Sequence, residues 1–112
     1  MVLFKEDAVP VLSWDKEITL HNIDDFRLSV WKLLDCDGPE LILDLQGVAC
    51  LNSSALGVLA DAGIQSRRYR KTLVIAGIEL AVEKVLFIKV FKHRADALAY
   101  VHASRQHYVK AR

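Results

Sequence analysis

Apolar and polar positions change period several times along the chain, and each change marks an element. Val9 to Trp14 (VPVLSW) is an apolar run of strand length. Pro10 has no backbone N–H to give to a ladder, so it predicts an edge strand or a strand start. Asp15, Lys16 and Glu17 form a polar turn, after which Ile18 to Leu20 can begin a second strand. From Asn22 the spacing becomes helical, with Ile23, Phe26, Val30, Trp31 and Leu34 on one face. Asn22 suits the N-cap, and Asp25 three residues later offers a capping-box partner with its charge in the favourable first turn. Asp37, Gly38 and Pro39 end this helix.

Glu40 to Leu45 (ELILDL) is nearly continuous in apolar residues, the pattern of a strand buried on both faces. After a loop from Gln46 to Asn52, a second helix is predicted from Ser53 to near Tyr69. Its inner side is Leu56, Leu59, Ala60, Gly63 and Ile64, and Arg67, Arg68, Arg70 and Lys71 crowd its C-terminal end. Thr72 to Ala76 (TLVIA) is another buried strand. Strand, helix and strand in succession predict a parallel pair joined by a right-handed crossover. Beyond Gly77, a short helix is expected at Leu80 to Leu86 and a short strand at Ile88 to Phe91. A terminal helix follows from about Arg94, with Ala97, Leu98, Val101 and Tyr108 facing inward. The expected class is α/β, a single domain over residues 1–112, with a mixed, mainly parallel sheet of four to five strands and helices packed against it.

Composition narrows the function classes. The 112 residues leave room for one core, and 53% hydrophobic with 26% charged residues is a globular balance. Lys+Arg 15 against Asp+Glu 14 excludes the strong basic excess of a dedicated nucleic-acid binder. The longest uncharged stretch, Leu45 to Ala60, is broken by Gln46, Gly47, Asn52, Ser53 and Ser54, whereas a membrane span needs ~20 apolar residues. No membrane insertion is expected. The start, MVLFKEDAVP, lacks a signal-peptide apolar core, and Cys36 and Cys50 build neither a CxxC pair nor a disulfide framework. The expected location is the reducing cytoplasm. Charge is uneven: residues 1–56 carry 4 basic and 10 acidic side chains, residues 57–112 carry 11 and 4. Folding is expected to bring the halves together as one mixed surface.

Candidate catalytic and metal chemistry is sparse. Of the four histidines, none forms a helical HxxxH pair, and neither cysteine stands at zinc-ligand spacing from them, so no metal and no cofactor is expected. Ser53 lies in Leu51-Asn52-Ser53-Ser54-Ala55, without the flanking glycines of a nucleophile elbow. There is no GxxxxGK[ST] loop. No residue is assigned a catalytic role, and the chain is not expected to be an enzyme. The SRRYRK cluster (Ser66 to Lys71) sits where any helix end favours positive charge, and Trp14 and Trp31 suit a core better than a stacking platform.

One segment stands out: LILDLQGVACLNSSALGVL, Leu41 to Leu59. It resembles the signature of the STAS domain, the module shared by bacterial anti-sigma-factor antagonists and the cytoplasmic part of sulfate transporters. In that family a strand ending in Asp-Leu leads through a short loop to Leu-Asp-Ser-Ser-Gly-Leu-Gly at a helix start. Asp44-Leu45, Gly47-Val48, Leu51, Ser53-Ser54, Leu56-Gly57 and Val58-Leu59 match. The likeness extends more loosely to Asn22–Leu34, Thr72–Gly77 and Ala95–Val101. The motif's Asp is Asn52 here, its Gly is Ala55, and the early acidic position is Thr19 after Glu17-Ile18. Between Val85 and Phe91 the chain is shorter than the family pattern.

The resemblance implies an anti-sigma-factor antagonist. Such a protein binds an anti-sigma factor that is also a serine kinase, is released by phosphorylation of Ser53 (Ser54 being the second candidate), and is reset by a serine phosphatase. The implied partner-binding residues are Asn52, Ser53, Ser54, Ala55, Leu56, Gly57 and Thr19. An alternative implication is a STAS regulatory or scaffold subunit docking on a non-kinase partner such as a transporter ATPase. The pattern carries no signature of oligomeric state. Independently of any family, the serine pair lies at a helix start just beyond a buried parallel strand, where open α/β sheets place their sites and where an anion is well received.

Overall fold

A hairpin begins the chain. In the computed structural model, which describes residues 2–78 and 82–110, β1 (Val2–Glu6) pairs antiparallel with β2 (Val9–Ser13). Glu6 stands opposite Val9, so Asp7 and Ala8 alone make the turn. Both have positive φ, 51° and 67°, as a two-residue hairpin of the right twist requires. The strand expectation over Val9 to Trp14 holds, but its partner β1 was not foreseen. Asp-Ala carries no glycine, the residue that makes such turns recognisable. Pro10 is consequently not on an edge strand. It precedes Val11, the first residue of β2 paired with the next strand, so its missing N–H leaves no gap there.

The remaining elements are α1 (Ile23–Leu34), β3 (Glu40–Asp44), α2 (Ser53–Arg68), β4 (Thr72–Ala76), α3 (Val82–Leu86), β5 (Lys89–Phe91) and α4 (Arg94–Lys110). The five strands lie in chain order, β1-β2-β3-β4-β5, with β2, β3, β4 and β5 mutually parallel. This is the mixed, mainly parallel sheet that the pattern predicts. Ile18 to Leu20, by contrast, is not a strand. Its backbone polar groups go to side chains instead, as described below. Of the helix expected at Leu80 to Leu86, residues 79–81 lie outside the described part, and so does the side chain of Tyr108.

Strand alternation sends side chains to two cores. Leu12, Leu41, Leu43, Leu45, Leu73 and Ile75 face α1, α2 and α3. Val9, Val11, Ile42, Val74 and Ala76 face Ala97, Leu98 and Val101 of α4. Trp14 and Phe26 meet edge-on at 5.2 Å in the first core, where Trp31 is half-buried. The buried face of α2 is Ala55, Val58, Leu59, Ala62, Gly63 and Ser66, rotated from the one expected; Ile64 is 44% exposed. Small residues are buried here because they let the helix approach closely. A Cβ on Gly63 would stand 2.9 Å from Ile88. The oppositely charged halves of the chain do meet: Arg94 pairs with Glu6 at 3.1 Å and Asp44 at 3.3 Å, and Lys71 Nζ donates to the carbonyl of Leu34 at 2.7 Å.

Two stability outcomes follow from this packing. Leu43, fully buried in the central strand, should lose about 2–5 kcal/mol on truncation to Ala, measured by denaturant unfolding. Ala8→Gly should stabilise by about 0.5–1 kcal/mol, because glycine relieves the left-handed strain at the turn and gives back part of the gain as chain entropy. A lower thermal midpoint for Ala8→Gly would contradict the turn assignment.

Candidate functional site

The site is an apex built by two loops beyond the ends of β2 and β3. Buried β3 must hand the chain to α2, and the loop of residues 45–52 does so in close contact with residues 15–22. Gly47 permits the approach, since a Cβ there would lie 2.6 Å from the Cα of Asp15. Glu17 Oε1 accepts from the backbone N–H of Ala49 at 2.5 Å. Asn52 Nδ2 donates to the carbonyl of Ile18 at 2.8 Å. These links tie the loop that carries Thr19 to the N-cap residue of the helix that carries Ser53.

The loop before α1 is organised by Asn22, but not as a helix cap. Asn22 occupies the N-cap position without a capping hydrogen bond. Its Oδ1 accepts from the N–H of Thr19 at 2.7 Å and its Nδ2 donates to the carbonyl of Glu17 at 2.7 Å. Thr19 Oγ1 accepts from the N–H of His21 at 3.2 Å. The turn so fixed presents Leu20, 84% exposed, beside Thr19. Leu20, Glu17 and Gly47 were missed as site residues. A glycine straight after a buried strand was the available signal for Gly47; an exposed leucine in a sequence has none.

Asn52 does cap α2. Its Oδ1 accepts from the N–H of Ala55 at 2.8 Å while its carbonyl accepts from Leu56 at 3.0 Å. The N–H groups of Ser53 and Ser54 have no hydrogen-bond partner among the described residues, and neither do their hydroxyls. Both serines are exposed, and the first turn of α2 carries no acidic residue. The helix N-terminus therefore meets solvent with its partial positive charge unanswered. Leu56 is half-buried and Gly57 exposed, but Ala55 is fully buried, so its side chain packs beneath the surface and offers a partner no contact. No atom of the described residues, apart from the glycine's own surroundings in the helix, lies within 4 Å of the Cβ that an alanine at Gly57 would carry.

Asp44 of the Asp-Leu motif is turned to the other face of the sheet. Its carboxylate is 6% exposed, accepts from the N–H of Gln46 at 3.0 Å and pairs with Arg94. It shapes the end of β3 and does not reach the serine apex. Among the described residues no group of His, Cys, Asp and Glu could hold a metal ion. No helix among them is long and apolar enough to cross a membrane.

The Asn52 geometry explains why an amide stands at this position. It caps with its oxygen and donates with its nitrogen, a combination that a carboxylate cannot supply. Asn52→Ala should cost about 1–3 kcal/mol, since it removes the cap and orphans the Ile18 carbonyl. Asn52→Asp should fall between wild type and alanine in chemical denaturation, keeping the cap but opposing an anion to that carbonyl. Stability of the Asp variant above wild type would mean that the Ile18 link contributes nothing.

Comparisons with known proteins agree with this architecture. The family model for the STAS domain matches residues 2–96. No curated protein matches the sequence. Among solved structures, an anti-sigma factor antagonist from Mycobacterium paratuberculosis superposes with a TM-score of 0.75 at 19% identity, covering 90% of this chain and 92% of that one. An anti-sigma-factor antagonist (STAS) domain protein from Planctomyces limnophilus gives 0.73 at 14% identity, with 88% and 95% covered. A chain of the stressosome, described as a signal integration and transduction hub, gives 0.70 at 18% identity, with 93% and 98% covered. With a matching family model over residues 2–96 and a fold shared with these structures, the chain belongs to the STAS domain family.

Proposed function

We propose that this chain is an anti-sigma factor antagonist that docks through the α2 apex on an anti-sigma factor serine kinase and is released by phosphorylation of Ser53, with Ser54 the second candidate. The observation that carries the reading is Gly57. A glycine inside a helix costs about 0.5–1 kcal/mol relative to alanine, and here no neighbour among the described residues requires it. It sits one turn from an exposed serine and leaves a flat patch that a partner can approach closely. The contact set is Thr19, Asn52, Ser53, Ser54, Leu56 and Gly57, with Ala55 beneath it. Leu20 adds an apolar projection suited to a pocket on the partner.

The switch is electrostatic. The kinase transfers the γ-phosphoryl group of ATP to Ser53 Oγ: a new O–P bond forms, the bond to ADP breaks, and the hydroxyl proton passes to the kinase's base. The phosphate brings about −1.5 to −2 charge, which the unpaired amides of Ser53 and Ser54 accept in solution. Against a docked partner the same charge would have to be desolvated beside Leu56 and Gly57, which opposes the complex. A serine phosphatase hydrolyses the ester and restores docking. Catalysis belongs to these partners, the chain itself is not an enzyme, and the exchange takes place in the cytoplasm. The structural neighbours described as anti-sigma factor antagonists support this reading through their shared fold.

A second reading, a scaffold or regulatory subunit on a non-kinase partner such as a transporter ATPase, is favoured by the neutral Asn52 and by the likeness to a stressosome chain. Incubation with ATP and the kinase encoded beside the gene, followed by intact-mass measurement, separates the two. One added phosphoryl group on wild type and none on Ser53→Ala is the expected result. Ser53→Ala should keep partner binding and Ser53→Asp should weaken it. Gly57→Ala should raise the stability of the free protein by about 0.5–1 kcal/mol and weaken the complex. Equal binding by all four proteins, with no phosphate gained on either serine, would favour the scaffold reading instead.

A further inference from the structure

We propose that the cleft on the other side of the loop 46–52 binds a small anion with an aliphatic tail, such as a medium-chain carboxylate. The cleft, half open to solvent, has a volume of about 530 Å³ and lies where β3, β4 and β5 end, reached by Gln46, Gly77 and Lys92 respectively. That is the end of an open α/β sheet at which ligands are held. It does not include Ser53, and it shares one wall residue, Leu56, with the proposed docking face.

Its chemistry is asymmetric. The walls are apolar: Val48 and Ile78 are buried, and Leu51, Leu56 and Val82 stand half-buried along it. The polar rim is on one side, formed by the Lys92 ammonium, the His93 imidazole and the Gln46 amide. Gln46 Nε2 lies 3.1 Å from His93 Nδ1, which orients the ring. Lys92 has no hydrogen-bond or ion-pair partner among the described residues, and no carboxylate is among the described lining residues. An anionic head is therefore matched at Lys92.

The body of the ligand is set by what the walls lack. No aromatic side chain is among the described lining residues, so they offer no surface on which a base or other flat ring would stack. Leucine, isoleucine and valine walls instead suit a flexible hydrocarbon, and the volume holds a chain of about eight to ten carbons with its head at the rim. A carboxylate and a phosphate monoester share this head chemistry, and both are carried into the test.

The experiment is a titration of the isotope-labelled full chain with octanoate, octyl phosphate and octanol, followed through backbone amide shifts. Saturable shifts at Val48, Leu51, Leu56 and Ile78 are expected, with an anion binding about tenfold or more tighter than the alcohol. Which of octanoate and octyl phosphate binds tighter assigns the head group within this class. Lys92→Glu, a substitution at an exposed position, should abolish the preference for the anions and leave octanol binding in place. The proposal is overturned by shifts that do not saturate, by equal binding of octanol and the anions to wild type, or by shifts at the exposed Leu20 and Phe87 as large as those in the cleft. An undiminished anion preference in Lys92→Glu would also overturn it.

Discussion

The central strand β3 is shielded on both faces, and this constraint organises the rest of the molecule. Leu41, Leu43 and Leu45 point to α1 and α2, while Ile42 and Asp44 point to α4. A strand without a solvent face needs a layer on either side. The chain supplies one with the crossover helices and the other by returning at its end as α4. The cost is a carboxylate under cover. Asp44 is compensated by the N–H of Gln46 and by Arg94, the first residue of α4. Arg94 then reaches Glu6 and lies over the Phe4 ring at 5.3 Å from its centroid. One ion cluster thereby fastens the hairpin, the central strand and the last helix at a single corner.

The end of β3 also decides how the candidate site is made. Backbone groups leaving a buried sheet must find partners, and beyond β2 and β3 there is no further ladder to supply them. Side chains take over: Glu17, Asn22 and Asn52 satisfy the groups of Ala49, Thr19, Glu17, Ala55 and Ile18. The two loops become one stitched apex, and Thr19 and Ser53 share it although they are far apart in sequence. Gly47 is the geometric condition for that stitch, because any side chain there would push Asp15 away.

What could be read from the sequence divides along the same line. β3, β4 and α1 were legible because burial writes itself into runs and periods of large apolar residues. β1 was hidden by a turn of Asp7 and Ala8, which adopts the backbone of a glycine turn without a glycine. Ile18 to Leu20 has the composition of a strand, and the side chains of nearby Asn22 and distant Asn52 that bind its backbone make it a loop. The face of α2 was misjudged by one step because tight packing selected Ala55, Ala62 and Gly63 over the larger Ile64. Of the site, the exposure of Ser53 at a helix start was legible from its position beyond a buried strand. The burial of Ala55, the turned-away Asn22 and the open space at Gly57 depend on distances that no local pattern encodes.

The loop of residues 46–52 separates two surfaces of different character, the serine apex and the apolar cleft. Apart from Val48, which is buried in the first core, it is held to the rest by a few hydrogen bonds, each contributing about 0.5–1.5 kcal/mol, whereas the strands it follows are locked by burial on both faces. Elements of that kind are the ones a protein can alter without unfolding. A charge placed on Ser53 acts at the edge of this loop, where the nearest unpaired groups are amides of α2. The energy it introduces is spent at the surface that a partner would cover. Among the described residues no strand makes a hydrogen bond to Ser53, so the proposed switch acts on what the apex binds and not on the strands beneath it.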